Sequence, residues 1–182
     1  MKDNSSIIKE NFYHWVKIFG EEKLVKELNK DSHRIISKII EELNSKFNKL
    51  KLIDDEKIPV FITVMMHYFL TTLLIPSQRK ISHEEVNIDL VIPSLKKLKN
   101  DPQGALIIDI PTNQTQNNLE KRLLDLQKIQ PIKENIWVLL YERKKLDCKI
   151  FSMKDKTIYD IIKEIKKFTK MYSSNQLKIL KN

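Results

Sequence analysis

Two aspartates interrupt apolar runs in mid-chain. Asp89 lies within Val86-Asn87-Ile88-Asp89-Leu90-Val91-Ile92, and Asp109 within Ala105-Leu106-Ile107-Ile108-Asp109-Ile110. A carboxylate on the covered side of a sheet is costly unless it is paired, hydrogen-bonded or metal-bound. On adjacent strands two of them also repel. A hard divalent cation relieves both problems, and a carboxylate-rich oxygen site with open positions is one way to build phosphodiester chemistry. Period-two alternation puts Asp89 with Val91 on one face and Asp109 with Ile107 on one face. Where those faces coincide, both carboxylates can hold one Mg²⁺ or Mn²⁺. A structural reading stands beside this one: an aspartate at a strand end also caps the turn that follows, and Pro111-Thr112 closes the second run.

The elements that must position these residues follow from periodicity. Ile7, Ile8, Phe12, Trp15, Val16 and Phe19 keep close to a helical period, with Gly20 as the C-cap. Asp31 or Ser32 caps a longer helix with the stripe Ile35, Ile36, Ile39, Ile40, Leu43, Phe47 and Leu50. After the polar break Asp54-Asp55-Glu56, Pro59 opens an apolar helix running to Ile75. Beyond Pro76 the period changes to two, with strands expected at Ile81–His83, Val86–Ile92 and Ala105–Ile110. A basic excursion from Leu95 to Asn100 and a turn at Asp101-Pro102-Gln103-Gly104 lie between the last two. Asn117 or Asn118 caps a helix with Leu119, Leu123 and Leu126 on one face. Strands at Ile136–Tyr141 and Lys149–Met153 follow, and Thr157-Ile158-Tyr159-Asp160 is a capping box for a final amphipathic helix. A right-handed crossover makes the Ala105 and Ile136 strands parallel. The expected class is α/β, a mixed sheet of four to five strands flanked by helices. Residues 1–58 form an N-terminal helical extension and 59–182 the α/β core, in one continuous domain.

Composition excludes several function classes. With only two glycines, Gly20 and Gly104, far apart, neither a dinucleotide fingerprint nor a P-loop can be built. The single Cys148 rules out an internal disulfide and a cysteine zinc site. The uncharged stretch Val60–Ile75 falls short of the roughly 20 residues a spanning helix needs, so a buried helix is expected and no membrane partner. No basic-then-apolar leader opens the sequence, and the expected location is cytoplasmic.

The element order and the two acids resemble the PD-(D/E)XK superfamily of restriction-endonuclease-like phosphodiesterases. That family has a helix followed by three strands, a helix and a strand. An acid interrupts its second strand, and a Glu/Asp-x-Lys follows on the third. Asn87-Ile88-Asp89-Leu90-Val91-Ile92 is similar to the first motif and Ile107-Ile108-Asp109-Ile110-Pro111 to the second, over roughly residues 31–171. The resemblance implies metal ligation by Asp89 and Asp109, with Glu42 (or its neighbour Glu41) as the early helical acid. The family's lysine, which activates water and stabilises charge on the phosphate, is replaced here by Pro111. Lys121 on the following helix, or Lys80 ahead of the first motif, is the candidate substitute. Catalysis is therefore expected to be lost or modified, with Mg²⁺ or Mn²⁺ as cofactor only where the site is intact.

A net charge of +9 favours a polyanionic partner. The expectation is nucleic acid, DNA ahead of RNA, contacted by Lys96, Lys97 and Lys99 and by Lys163, Lys166, Lys167 and Lys170 of the final helix. Lysines that merely solvate an amphipathic helix give the same composition. The rival class is a non-catalytic interaction or scaffold subunit, packing its N-terminal helices on a protein partner or a second copy. His67 and Trp137 read as core residues, and His83-Glu84-Glu85 as a further possible ligand cluster near Asp89.

Overall fold

The computed structural model describes residues 4–49, 58–152 and 158–179. In order the elements are α1 (Asn4–Phe19), α2 (Glu21–Lys30), α3 (Ser32–Lys49), α4 (Ile58–Thr72), β1 (Gln78–His83) and β2 (Val86–Ile92). Then come α5 (Leu95–Asn100), β3 (Leu106–Asp109), α6 (Gln116–Ile129), β4 (Ile136–Leu140), β5 (Lys149–Ser152) and α7 (Ile158–Ile179). The strands form one sheet in the order β1-β2-β3-β4-β5. β2 runs antiparallel to both of its neighbours, β1 and β3, whereas β3, β4 and β5 are parallel, so α6 is the crossover that the sequence requires between β3 and β4.

Helices cover both faces. Leu90, Ile92, Leu106, Ile108, Trp137, Leu139 and Phe151 point to one side and form a core with the apolar stripes of α1 to α4 and α7. Val91, Ile107, Val138 and Leu140 point to the other, against Leu98 of α5 and Leu119, Leu123 and Leu126 of α6. Each buried Leu or Ile contributes about 1.5–3 kcal/mol, so these three leucines dominate the docking of α6. The helix starts earlier than its asparagines suggest. Thr115 stands at the N-cap without a side-chain cap bond, and its own N–H donates to Asn113 Oδ1 at 3.1 Å.

The N-terminal helices depart from expectation in one respect: α2 is an additional element. Its stripe is short, and its inward residues Leu24 and Leu28 are fully buried. Gly20 separates α1 from α2 with φ +91°, a value that disfavours any residue with a Cβ. Asp31 caps α3 as expected, Oδ1 accepting from the Arg34 N–H at 3.1 Å. α4 ends at Thr72, short of Ile75. Among the described residues no helix is long and apolar enough to cross a membrane. β5 ends at Ser152. Leu50, the Asp54–Glu56 break, Met153 and Thr157 of the capping box lie outside the described residues.

The β1–β2 hairpin holds one register from Gln78 opposite Val91 to His83 opposite Val86, yet its alternation reverses midway. Ile81 and Ile88 pack on the α5/α6 side together with Val91, whereas Leu90 and Ile92 pack on the other. Residues 88 and 91 therefore share a face although they are three apart. The reversal falls at Lys80, whose φ is +49° and which the register sets across from Asp89. It lets Ile88 and Asp89 both turn towards α6. At the far end of the hairpin Glu84 and Glu85 form the turn with φ +49° and +64°.

The segment before β3 is fastened by two buried amides. Gln130 Nε2 donates to the carbonyls of Pro102 and Ala105 at 2.9 and 2.8 Å. Asn135 Nδ2 donates to those of Pro102 and Gln103 at 3.1 and 3.0 Å. This satisfies turn carbonyls that the sheet leaves unpaired, and sets where β3 begins.

Candidate functional site

The β2–β3 register pairs Val91 with Ile107 and Leu90 with Ile108. Continued by one residue it sets Asp89 across from Asp109. Both aspartates lie on the α5/α6 side, so the face that alternation left conditional is shared.

A guanidinium stands beside the pair and reaches both. Arg122 of α6 donates from Nε and Nη2 to Asp109 Oδ1, at 2.9 and 2.5 Å. Its Nη2 is 4.0 Å from Asp89 Oδ2, and that oxygen also accepts the Ile110 N–H at 2.8 Å. Helix geometry explains why Arg122 reaches the pair and Lys121 does not. Arg122 is three residues after Leu119 and four before Leu126, so it belongs to the inward stripe. Lys121 is two after Leu119 and is exposed.

The Asp109 side chain is only 1% exposed, and its Oδ2 is buried without a hydrogen-bond partner among the described residues. Burial pushes the Asp109 carboxyl up to about 6; Arg122 pulls it down, and the neighbouring Asp89 adds to the upward push. Burial alone would lower the Arg122 pKa, but the hydrogen bonds and charges of Asp109 and Asp89 carry it above its ordinary value. Arg122 is accordingly a permanent cation that can hold negative charge and cannot accept a proton. Burial, followed by the charges of Asp109 and Asp147, raises Cys148 to about 11, so it is no nucleophile at neutral pH.

A recess of about 340 Å³ opens beside the pair, lined by Asp89, Arg122, Asn87, Thr112 and, from the first turn of α6, Asn118. Asp89 is the carboxylate that borders it.

The donor set fits a divalent cation poorly. Arg122 takes one oxygen of Asp109, and a backbone N–H takes one of Asp89. Among the described residues no group of three His, Cys, Asp or Glu side chains converges to hold a metal. Glu42 belongs to α3, which packs on the opposite face of the sheet. Its carboxylate accepts from Trp15 Nε1 at 2.7 Å and lies 3.7 Å from Lys38 Nζ. Glu41 is exposed on the same helix. His83, Glu84 and Glu85 sit at the hairpin tip, where His83 Nε2 is 3.4 Å from Glu84. His67 is half-buried on α4; burial first and then the charges of Arg79 and Lys9 lower its pKa. Trp137 is in the core, its Nε1 donating to the Glu134 carbonyl at 3.0 Å.

The lysines divide between the two faces. Lys96 and Lys99 are exposed on α5, on the aspartate side, while Lys97 is bound to Asp101 at 2.6 Å. Lys163, Lys166, Lys167 and Lys170 are exposed on α7, across the sheet. Sequence reasoning missed Arg122, and its place on the leucine stripe was the available signal. Compared with known proteins, the chain matches no family model, no curated protein and no solved structure.

Proposed function

We propose that this protein binds nucleic acid through a restriction-endonuclease-like fold in which metal-dependent cleavage has been lost. In this reading a guanidinium stands where the metal-dependent enzymes hold a divalent cation. The observation that carries the reading is Arg122, with two N–H donors on the buried Asp109 and a third carboxylate contact towards Asp89. The element order supports the fold assignment: α4, then β1, β2 and β3, then α6 and β4, with one acid interrupting the second strand and another ending the third. The loss of catalysis is supported by chemistry. Pro111 has no side-chain charge or donor, and Arg122 provides fixed charge but no base. Positive net charge supports a polyanionic partner.

The test is binding of short labelled DNA and RNA at two ionic strengths, with a parallel cleavage assay in Mg²⁺ and in Mn²⁺. The expected result is binding that weakens steeply with salt, and no cleavage. Cleavage abolished by Asp89→Ala would overturn the loss of catalysis. Absent or salt-indifferent binding would turn the assignment to the interaction-subunit alternative.

A further inference from the structure

Among the described residues β1 is an edge strand, paired on one side only, by β2. Between it and α5 lies an open groove of about 650 Å³ lined by Arg79, Lys96 and Lys99, with the amides of Gln78 and Asn100 and no carboxylate among the described lining residues. Lys96 and Lys99 are exposed and border the groove from α5; Arg79 is exposed too, but it pairs with Leu90, whose side chain packs on the α4 side, and its charge acts on His67 of α4. Lys96 and Lys99 are spaced i, i+3 and so stand on one face of α5. The intervening Lys97 is turned to Asp101, and its stem packs where a Cβ on residue 104 would sit.

The groove is on the same side of the sheet as Asp89 and Asp109, since its Ile81 and Leu95 pack against the cluster that contains Val91 and Ile107. Two strand spacings, roughly 10 Å, separate β1 from β3. The α7 lysines are different in kind. They form the outer stripe of a helix whose inner stripe is core, on the opposite face.

We propose that the β1–α5 groove is the docking site for the phosphodiester backbone of a nucleic acid, and that the backbone contacts are confined to this face of the sheet, outside the reach of α7. The inference rests on the nucleic-acid reading above and narrows it to one surface. Charge complementarity selects the occupant. Two lysines on one face of α5, with no carboxylate among the described lining residues, suit a repeating anion, and the flanking amides donate to phosphate oxygens without reading sequence.

The experiment compares two variants that remove equal charge, Lys96→Gln/Lys99→Gln in the groove and Lys163→Gln/Lys167→Gln on α7. Each is first checked for a wild-type circular-dichroism melt. Binding of a short labelled DNA duplex is then titrated against salt. The groove variant is expected to lose about tenfold in affinity, its log–log salt slope becoming shallower by about 2, while the α7 variant stays near wild type. A loss equal or greater in the α7 variant would overturn the groove and leave the nucleic-acid reading standing. No salt-dependent binding by the wild type would overturn both. Displacement of the duplex by inorganic phosphate at constant ionic strength would also overturn the proposal, by reassigning the groove to a small anion.

Discussion

Arg122 places Nε and Nη2 on the same oxygen of Asp109, at 2.9 and 2.5 Å, and leaves the other oxygen buried with no hydrogen-bond donor among the described residues. Arg122→Met keeps the stem and removes the charge, stranding a buried carboxylate, and should cost about 3–5 kcal/mol in urea unfolding. Adding Asp109→Val removes the stranded charge and should recover most of that loss. Equal stability of the single and double variants would show that Asp109 does not depend on Arg122.

The same burial gives a pH dependence of definite sign. Asp109 titrates near 6 when folded, against 3.8 as its ordinary value. The native state therefore holds the proton more tightly, and this group's contribution is full below about pH 4 and lost as pH rises through about 6. The amount is at most about 3 kcal/mol. Asp101 and Asp125, held below their ordinary values chiefly by hydrogen bonds from Lys97 and Lys128, work in the opposite direction. The quantity to read is the difference between wild type and Asp109→Asn. It should change across pH 4–6 and be flat above pH 7, with Asp89 and Arg122 left in place.

The hairpin turn carries strain that its sequence does not need. Glu84 and Glu85 both occupy the left-handed region, which asparagine and glycine adopt at less cost. Glu84→Asn/Glu85→Gly should stabilise the protein by about 1–2 kcal/mol, seen as a rise of roughly 2–4 °C in Tm for each kcal/mol. No change in Tm would place the turn under other control than backbone conformation.

The two glycines should respond differently to alanine. At Gly20 the backbone itself resists, with φ +91°, and Gly20→Ala should cost about 1–3 kcal/mol. At Gly104 a Cβ would meet Lys97 Cε at 2.6 Å and Asp101 Oδ2 at 3.0 Å. Both atoms end flexible side chains, and the Lys97–Asp101 pair they form is partly exposed, so Gly104→Ala should cost no more than about 1 kcal/mol. Chemical denaturation of the two variants side by side checks the order.

Much of this arrangement is legible in the sequence because apolar runs with turn residues between them leave few alternatives. Ile136–Leu140 had to be a doubly covered strand, and the fourteen-residue helix before it had to cross over. The face shared by Asp89 and Asp109 was legible only conditionally, since a one-residue slip would have separated them. Arg122 was hidden by composition: on a helix with many charged residues an arginine reads as solvated unless its offset from Leu119 and Leu126 is examined. The reversal at Lys80 had no signal at all. Lysine has no preference for the left-handed region, and only the packing of Ile81 and Ile88 on one side and Leu90 on the other reveals it.

That reversal acts as a notch cut into both rails of the hairpin. A regular two-stranded ladder can be slid along itself and still bond at every rung, but here the irregular step of β1 has to meet the irregular step of β2. Sliding either strand by one residue would part the two reversals of facing and turn apolar residues out of the core. Only one alignment seats both, and it is the one that delivers Asp89 to the strand carrying Asp109. The misfit at Lys80 is in this sense an index mark for the carboxylate pair.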